Sequence, residues 1–129
     1  MFYFEKDYIM RMIRELTQML SVMLFGRKLG EGEELVAFME EGGEKNDYLR
    51  RMIDEGQVNA AEEKLFDLLE TSGWTEKEKA ALAISFYDYL NSKSDAFLEN
   101  AEFPREEIAR GLEDAMEALN VSIPDYLQI

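Results

Sequence analysis

The sequence predicts an all-α fold: antiparallel helical hairpins preceded by an amphipathic N-terminal helix. Three observations predict it. There are only two prolines, Pro104 and Pro124, so long stretches run without a helix breaker. Apolar residues recur at three- and four-residue steps in segment after segment. Two helix-start signatures, Asn59 with Glu62 and Thr75 with Glu78, stand just before apolar runs. At 129 residues, 47% hydrophobic and 33% charged, the chain has the length and composition of a single globular domain, residues 1–129.

The first element spans residues 8–25 within an amphipathic segment, residues 1–26. Ile9, Ile13, Leu16, Leu20 and Met23 recur at four- and three-residue steps and form one helical face. Met12, Met19 and Leu24 widen that face, leaving a narrow polar side of Arg11, Arg14, Gln18 and Ser21. Acids precede this stretch, Arg27 and Lys28 follow it, and Gly26 supplies the stop, as the helix dipole and C-cap preferences require.

Residues 27–46 read as a Gly/Glu-rich connector, since five of the eight glycines fall within residues 26–46. A short helix over Glu33–Glu41 fits inside it, with Leu35, Val36, Phe38 and Met39 as docking side chains. Two hairpins are expected over residues 47–120. The first opens with a helix over Asp47–Glu55 that buries Tyr48, Leu49, Met52 and Ile53. Gly56 turns the chain. Asn59 and Glu62 then cap a helix directing Ala61, Leu65, Leu68 and Leu69 inward.

The second hairpin starts at the Thr75/Glu78 capping box, which opens a helix over residues 76–90. Ala80, Ala81 and Ala83 make its close-packing side; Leu82, Phe86, Tyr89 and Leu90 make its bulky side. Ser94–Asn100 adds a short helical turn with Phe97 and Leu98. Pro104 fits the first position of the last long helix, residues 104–119, whose core face is Ile108, Leu112, Ala115, Met116 and Leu119. Asn120 ends it, and the tail, residues 121–129, carries Tyr126 and Leu127.

Gly56, Val58, Ala61, Leu65 and Leu68 fall at the spacing of a tetratricopeptide half-repeat, and the first hairpin resembles that motif. Lys45 stands where a tryptophan is common, and residues 75–120 lack the motif's small residues in register. A second resemblance covers most of the chain outside the connector. Asp-Tyr-Ile-Met-Arg-Met-Ile-Arg-Glu-Leu at 7–16, Leu-Phe-Gly at 24–26, Glu-Gly-Gln-Val-Asn-Ala-Ala-Glu at 55–62 and Phe-Tyr-Asp-Tyr-Leu-Asn at 86–91 carry it. On these segments the chain resembles an uncharacterised family of small acidic bacterial helical proteins, a domain of unknown function. That resemblance implies a helical fold and brings no activity with it.

Composition removes several kinds of chemistry. With no cysteine and no histidine, the chain has no thiolate nucleophile, no disulfide, no Cys/His zinc site and no imidazole base. Di-iron bundles need Glu-x-x-His pairs, which are missing for the same reason. No phosphate-loop, calcium-loop or Gly-x-Ser-x-Gly pattern occurs. The adjacent acids Glu40/Glu41, Glu62/Glu63, Glu106/Glu107 and Glu113/Asp114 are read as solvated helix surface in a chain with 28 acids. Trp74 and the Phe86/Tyr87/Tyr89 cluster are read as packing rather than a ligand groove. The expectation is a non-enzyme with no metal and no cofactor.

A net charge of −14 opposes binding to nucleic acid. The charge is uneven. Residues 1–30 carry five Lys/Arg against three acids, a net of +2, which leaves −16 on the rest. The first helix and the body therefore attract each other. No signal peptide and no membrane span is read from the N-terminal segment, and a cytoplasmic location is expected.

Two hairpins leave apolar faces uncovered, because stacked helical repeats need neighbours on both sides. The first helix is the expected cover, in the same chain or from a second one. The sequence thus predicts a protein–protein interaction module, a homodimer contacting through Ile9, Met12, Ile13, Leu16, Met19, Leu20 and Met23. Five of the eight methionines lie in residues 1–23, and flexible thioethers suit an adaptable surface. Alternatives are a peripheral membrane protein held by residues 2–28, with Phe2, Tyr3 and Phe4 inserted, and an acidic mimic of nucleic acid.

Overall fold

The computed structural model describes residues 2–26, 42–71 and 73–123, with side chains from residues 7–26, 43–71 and 73–123. All regular structure among these residues is helical: α1 (Phe2–Phe25), α2 (Gly42–Asp54), α3 (Val58–Thr71), α4 (Glu76–Asn91), α5 (Asp95–Asn100) and α6 (Arg105–Ala118). None of these helices is long and apolar enough to cross a membrane. The expected helix over Glu33–Glu41, the basic pair Arg27/Lys28 and the tail residues Tyr126 and Leu127 lie outside the described residues.

Helix α1 starts earlier than the acids suggest. Phe2 is already helical, so Glu5 and Asp7 fall within its first turns rather than before it. It stops where expected. Gly26 takes a left-handed φ of +76°, and its N–H bonds the Val22 carbonyl at 2.9 Å.

Helix α2 corrects the connector boundary. Residues 42–46 belong to the helix, Glu44 lies in its first turn, and Asn46 is buried. Leu49 and Ile53 face the core as expected, but Tyr48 points outward at 41% exposure.

Three helices close with the same paired-bond C-cap. At Gly56 (φ +83°) the Gly56 N–H bonds Ile53 O and the Gln57 N–H bonds Met52 O. The same pairing recurs at Glu102 (φ +55°) after α5 and at Asn120 (φ +59°) after α6. Left-handed backbone suits glycine and asparagine; Glu102 is the unusual occupant.

The motif at Gly56 also corrects the start of α3. The turn is so tight that Val58 is already helical, and Gln57 O accepts the first helical bond from Ala61 N–H. Asn59 is therefore inside the helix and caps nothing, so the capping box with Glu62 does not form. The other box does form. Thr75 Oγ1 accepts from Glu78 N–H at 3.2 Å, and Glu78 reaches back to the Thr75 N–H. Ser94 caps α5 through the Phe97 N–H, and Pro104, expected as the first residue of α6, stands one place earlier at its N-cap, with Arg105 the first helical residue.

The architecture is organised round α4, which packs against α1, α2, α3 and α6. Every residue from Ala80 to Tyr87 is buried, so this helix has no solvent face along its middle two turns. Phe86 and Tyr87 meet edge to face at 5.0 Å, and Trp74 packs partly buried on the core margin. Helix α1 lies over α4 and α6, the lid that the charge distribution anticipated.

Candidate functional site

Helix α1 presents two different faces. Ile13, Leu16 and Leu20 are at most 1% exposed and belong to the central core, with Ile9 and Leu24 packed half-buried beside them. Thr17 and Ser21 complete the inner face. Ser21 was expected on the polar side. Its burial is tolerated because each hydroxyl bonds the backbone of its own helix, Thr17 Oγ1 to Arg14 O at 2.9 Å and Ser21 Oγ to Thr17 O at 2.8 Å. Polar ties to α4 fix the helix in register. Asn91 Nδ2 donates to Met10 O at 3.0 Å, Thr17 Oγ1 shares its one proton between Arg14 O and Asp88 Oδ1, the latter at 3.3 Å, and Arg14 pairs with Asp88 at 3.9 Å.

The outer face is mixed: exposed Arg11, Arg14 and Glu15 share it with an apolar stripe. Tyr8 is 59% exposed, Val22 43% and Met23 48%; Met12 and Met19 are half-buried between them. Among the described residues, the one other large apolar side chain so exposed is Tyr48 on α2. Tyr8, Met12, Met19 and Met23 follow steps of four, seven and four, which draws a stripe about 22 Å long. Of the seven predicted contact residues, then, Ile13, Leu16 and Leu20 lie in this chain's own core and are closed to a partner. Met23 faces solvent, and Ile9, Met12 and Met19 lie at the boundary. Sequence periodicity merged two adjacent faces into one. Tyr8 and Val22, at the same four- and three-residue steps from Met12 and Met19, were the overlooked signal.

Two polar clusters sit deeper. On one, Tyr87 Oη donates to Glu62 Oε2 at 2.6 Å, joining α4 to α3. Helix α6 crosses here through Gly111, which leaves room for both side chains. Burial pushes the Glu62 carboxyl above its ordinary value of 4.5; the Tyr87 hydrogen bond opposes that, and the charges of Glu107 and Asp114 add to it. The Tyr87 phenol is raised as well, by burial first and then by Glu62, so it stays a donor. Glu62 is thus no solvated surface acid.

The other cluster is built on Arg105, 6% exposed at the first position of α6. Its Nη1 donates to Asn91 O at 2.8 Å and Asn91 Oδ1 at 3.0 Å; its Nη2 donates to Lys93 O at 2.7 Å. Nε donates to Asp95 Oδ1 at 3.1 Å. A cation at a helix N-terminus is unfavourable, but here it sits on the carbonyl end of α4 and beside a carboxylate. An arginine directly after the Pro104 cap was the available sequence signal.

On the α2–α4 surface, Asp54 Oδ1 accepts from Tyr89 Oη at 2.6 Å and Lys93 Nζ at 2.7 Å, and Arg50 stacks 4.3 Å over the Tyr89 ring. Among the described residues no group of three acids is placed to hold a metal ion.

With these surfaces in view, the sequence model of a family of unknown function, DUF6483, matches residues 3–120. The chain belongs to that family. The match runs from the first turn of α1 to the end of α6, so family membership takes in the lid helix and the central helix together. No curated protein and no solved structure matches the chain.

Proposed function

We propose that this chain is a non-enzymatic interaction module that self-associates along the outer stripe of α1. The reading rests on one observation: three of the four large apolar side chains most exposed among the described residues, Tyr8, Val22 and Met23, lie on that helix. A second copy is the natural occupant, because the stripe is self-complementary about a two-fold axis near residues 15 and 16. In an antiparallel pair, Tyr8 meets Met23 of the second copy and Met12 meets Met19. Such a contact is at the small end of stable interfaces, on the order of 1,200 Å² or less, so association is of the weak, reversible class.

Sedimentation of wild type against a Met19→Glu, Met23→Glu variant tests it. Leu16 and Leu20 do not serve, since their replacement disrupts the core. The expected result is a concentration-dependent dimer that the variant abolishes while its helical circular dichroism stays intact. Wild type remaining monomeric at high micromolar concentration overturns the reading. Adsorption of the same stripe to a membrane surface is the second reading, favoured by the exposed aromatic Tyr8 and neighbouring Arg11. Flotation with anionic vesicles separates the two.

A further inference from the structure

Between α5 and the start of α6 lies an open cleft of about 450 Å³, within the size range of ligand-binding pockets. Its floor is apolar. Leu98 and Phe103 lie buried beneath it, held together because they occupy the two ends of the paired-bond cap that closes α5, and the exposed ring of Pro104 is the apolar surface a ligand meets. Its rim is acidic: Asp95, Glu99, Glu102 and Glu106.

The one cation lining this cleft is Arg105, and it is already engaged. Its guanidinium binds the Asn91 side chain, two α4-end carbonyls and Asp95, whose charge balances its own. Asp95 is likewise taken. That leaves the side chains of Glu99, Glu102 and Glu106 with no hydrogen bond or ion pair among the described residues, three carboxylates around an apolar floor. An anion is refused by this rim. A purely apolar group would leave the charges unanswered. The chemistry that satisfies both parts is an alkyl stem ending in a cation.

We propose that this cleft binds a lysine or arginine side chain of a basic partner peptide, its methylenes over Pro104, above the buried Leu98 and Phe103, and its charge among Glu99, Glu102 and Glu106. The surface is separate from the α1 stripe and does not depend on self-association.

The test must distinguish this site from the general pull of an acidic protein on any cation. A fluorescein-labelled peptide of alternating leucine and arginine is titrated by anisotropy against three full-length proteins. They are wild type, a cleft variant (Glu99→Gln, Glu102→Asn, Glu106→Gln) and a charge-matched control (Glu63→Gln, Glu70→Gln, Glu117→Gln). Asparagine is used at 102 because it accepts left-handed backbone. Loss of three rim charges is expected to weaken binding about tenfold, with the control within about twofold of wild type. The same peptide with citrulline for arginine is expected not to bind, and Leu98 methyl resonances are expected to shift on titration with the arginine peptide. Equal weakening in both variants overturns the proposal, as does an absence of peptide binding or undiminished binding of the citrulline peptide.

Discussion

Tyr87 and Glu62 are joined by a 2.6 Å hydrogen bond directly under the backbone of α6, at the one helical residue there without a side chain, Gly111. A methyl group at Gly111 would lie 2.5 Å from Glu62 Oε2, 2.6 Å from Tyr87 Oη and 2.7 Å from Tyr87 Cε1. The Tyr87 ring is fully buried and cannot swing away.

Gly111→Ala therefore sets two effects against each other. Alanine in a helix interior is favoured over glycine by about 1 kcal/mol, whereas overpacking a buried contact costs about 1–3 kcal/mol. Overpacking wins, because two of the three close atoms belong to an immobile ring. Urea denaturation is expected to show a net loss of at most about 2 kcal/mol. An unchanged or raised midpoint contradicts this account of the glycine.

Glu62 carries the second prediction. Its folded-state carboxyl titrates above its ordinary 4.5, chiefly because it is buried. A raised pKa means that this group's contribution to stability is present below pH 4.5 and lost as pH rises through the folded-state value. Glu62→Gln keeps an acceptor for Tyr87 and removes the charge. Its melting temperature is expected to match wild type in acid and to exceed it increasingly toward neutral pH. Asp54 acts in the opposite sense. Hydrogen bonds from Lys93 and Tyr89 hold its carboxyl low, so its contribution fades as pH falls. Asp54→Asn therefore narrows the gap to wild type in acid, a small effect for an exposed pair.

Arg105→Ala removes a guanidinium that binds the backbone at the end of α4, the side chain of Asn91 and Asp95 at once. Hydrogen bonds from charged groups contribute about 1.5–3 kcal/mol each in the most favourable cases, and they are not additive. A loss of about 2–4 kcal/mol is expected by chemical denaturation. Arg105→Lys is expected to recover little, since an ammonium cannot reproduce the planar fork. Full recovery by lysine would show that charge alone matters there.

The two faces of α1 separate cleanly under substitution. Leu16→Ala opens a cavity in the core and is expected to cost about 2–5 kcal/mol. Met23→Ala, on the outer stripe, is expected to change monomer stability by no more than about 0.5 kcal/mol. Glu15 lies near the proposed two-fold axis, facing its own image, so Glu15→Gln is expected to tighten the dimer. Sedimentation equilibrium reads that change, and a weakened dimer rules out the antiparallel register.

Much of the helix layout was legible because local signals act over a few residues. The Thr75/Glu78 box, the glycine turn at Gly56 and the Asn120 stop stand where they were expected, and Pro104 opens α6 from one place earlier. What was not legible depends on partners far along the chain. Glu62 follows Asn59 by three residues and mimics a cap, but Tyr87, 25 residues on, fixes its role. Arg105 is understood only with Asn91 and Asp95 in place. On α1, one wide apolar band hides the division between a face for the core and a face for solvent, since periodicity reports hydrophobicity and not what covers it. The run Ala-Ala-Leu-Ala-Ile-Ser-Phe-Tyr at 80–87, without a charge, was the plainest sign that α4 is enclosed.

That enclosure limits how such a chain can be elaborated. A solenoid lengthens by adding units at an open end, each new hairpin settling on the last. Here the middle two turns of α4 are already wrapped by α1, α2, α3 and α6, which leaves no open end there for another hairpin among the described residues. Duplicating a hairpin would not extend the array but would displace the lid. The outer helices are therefore the surfaces of this chain on which a contact can be written, around an enclosed centre.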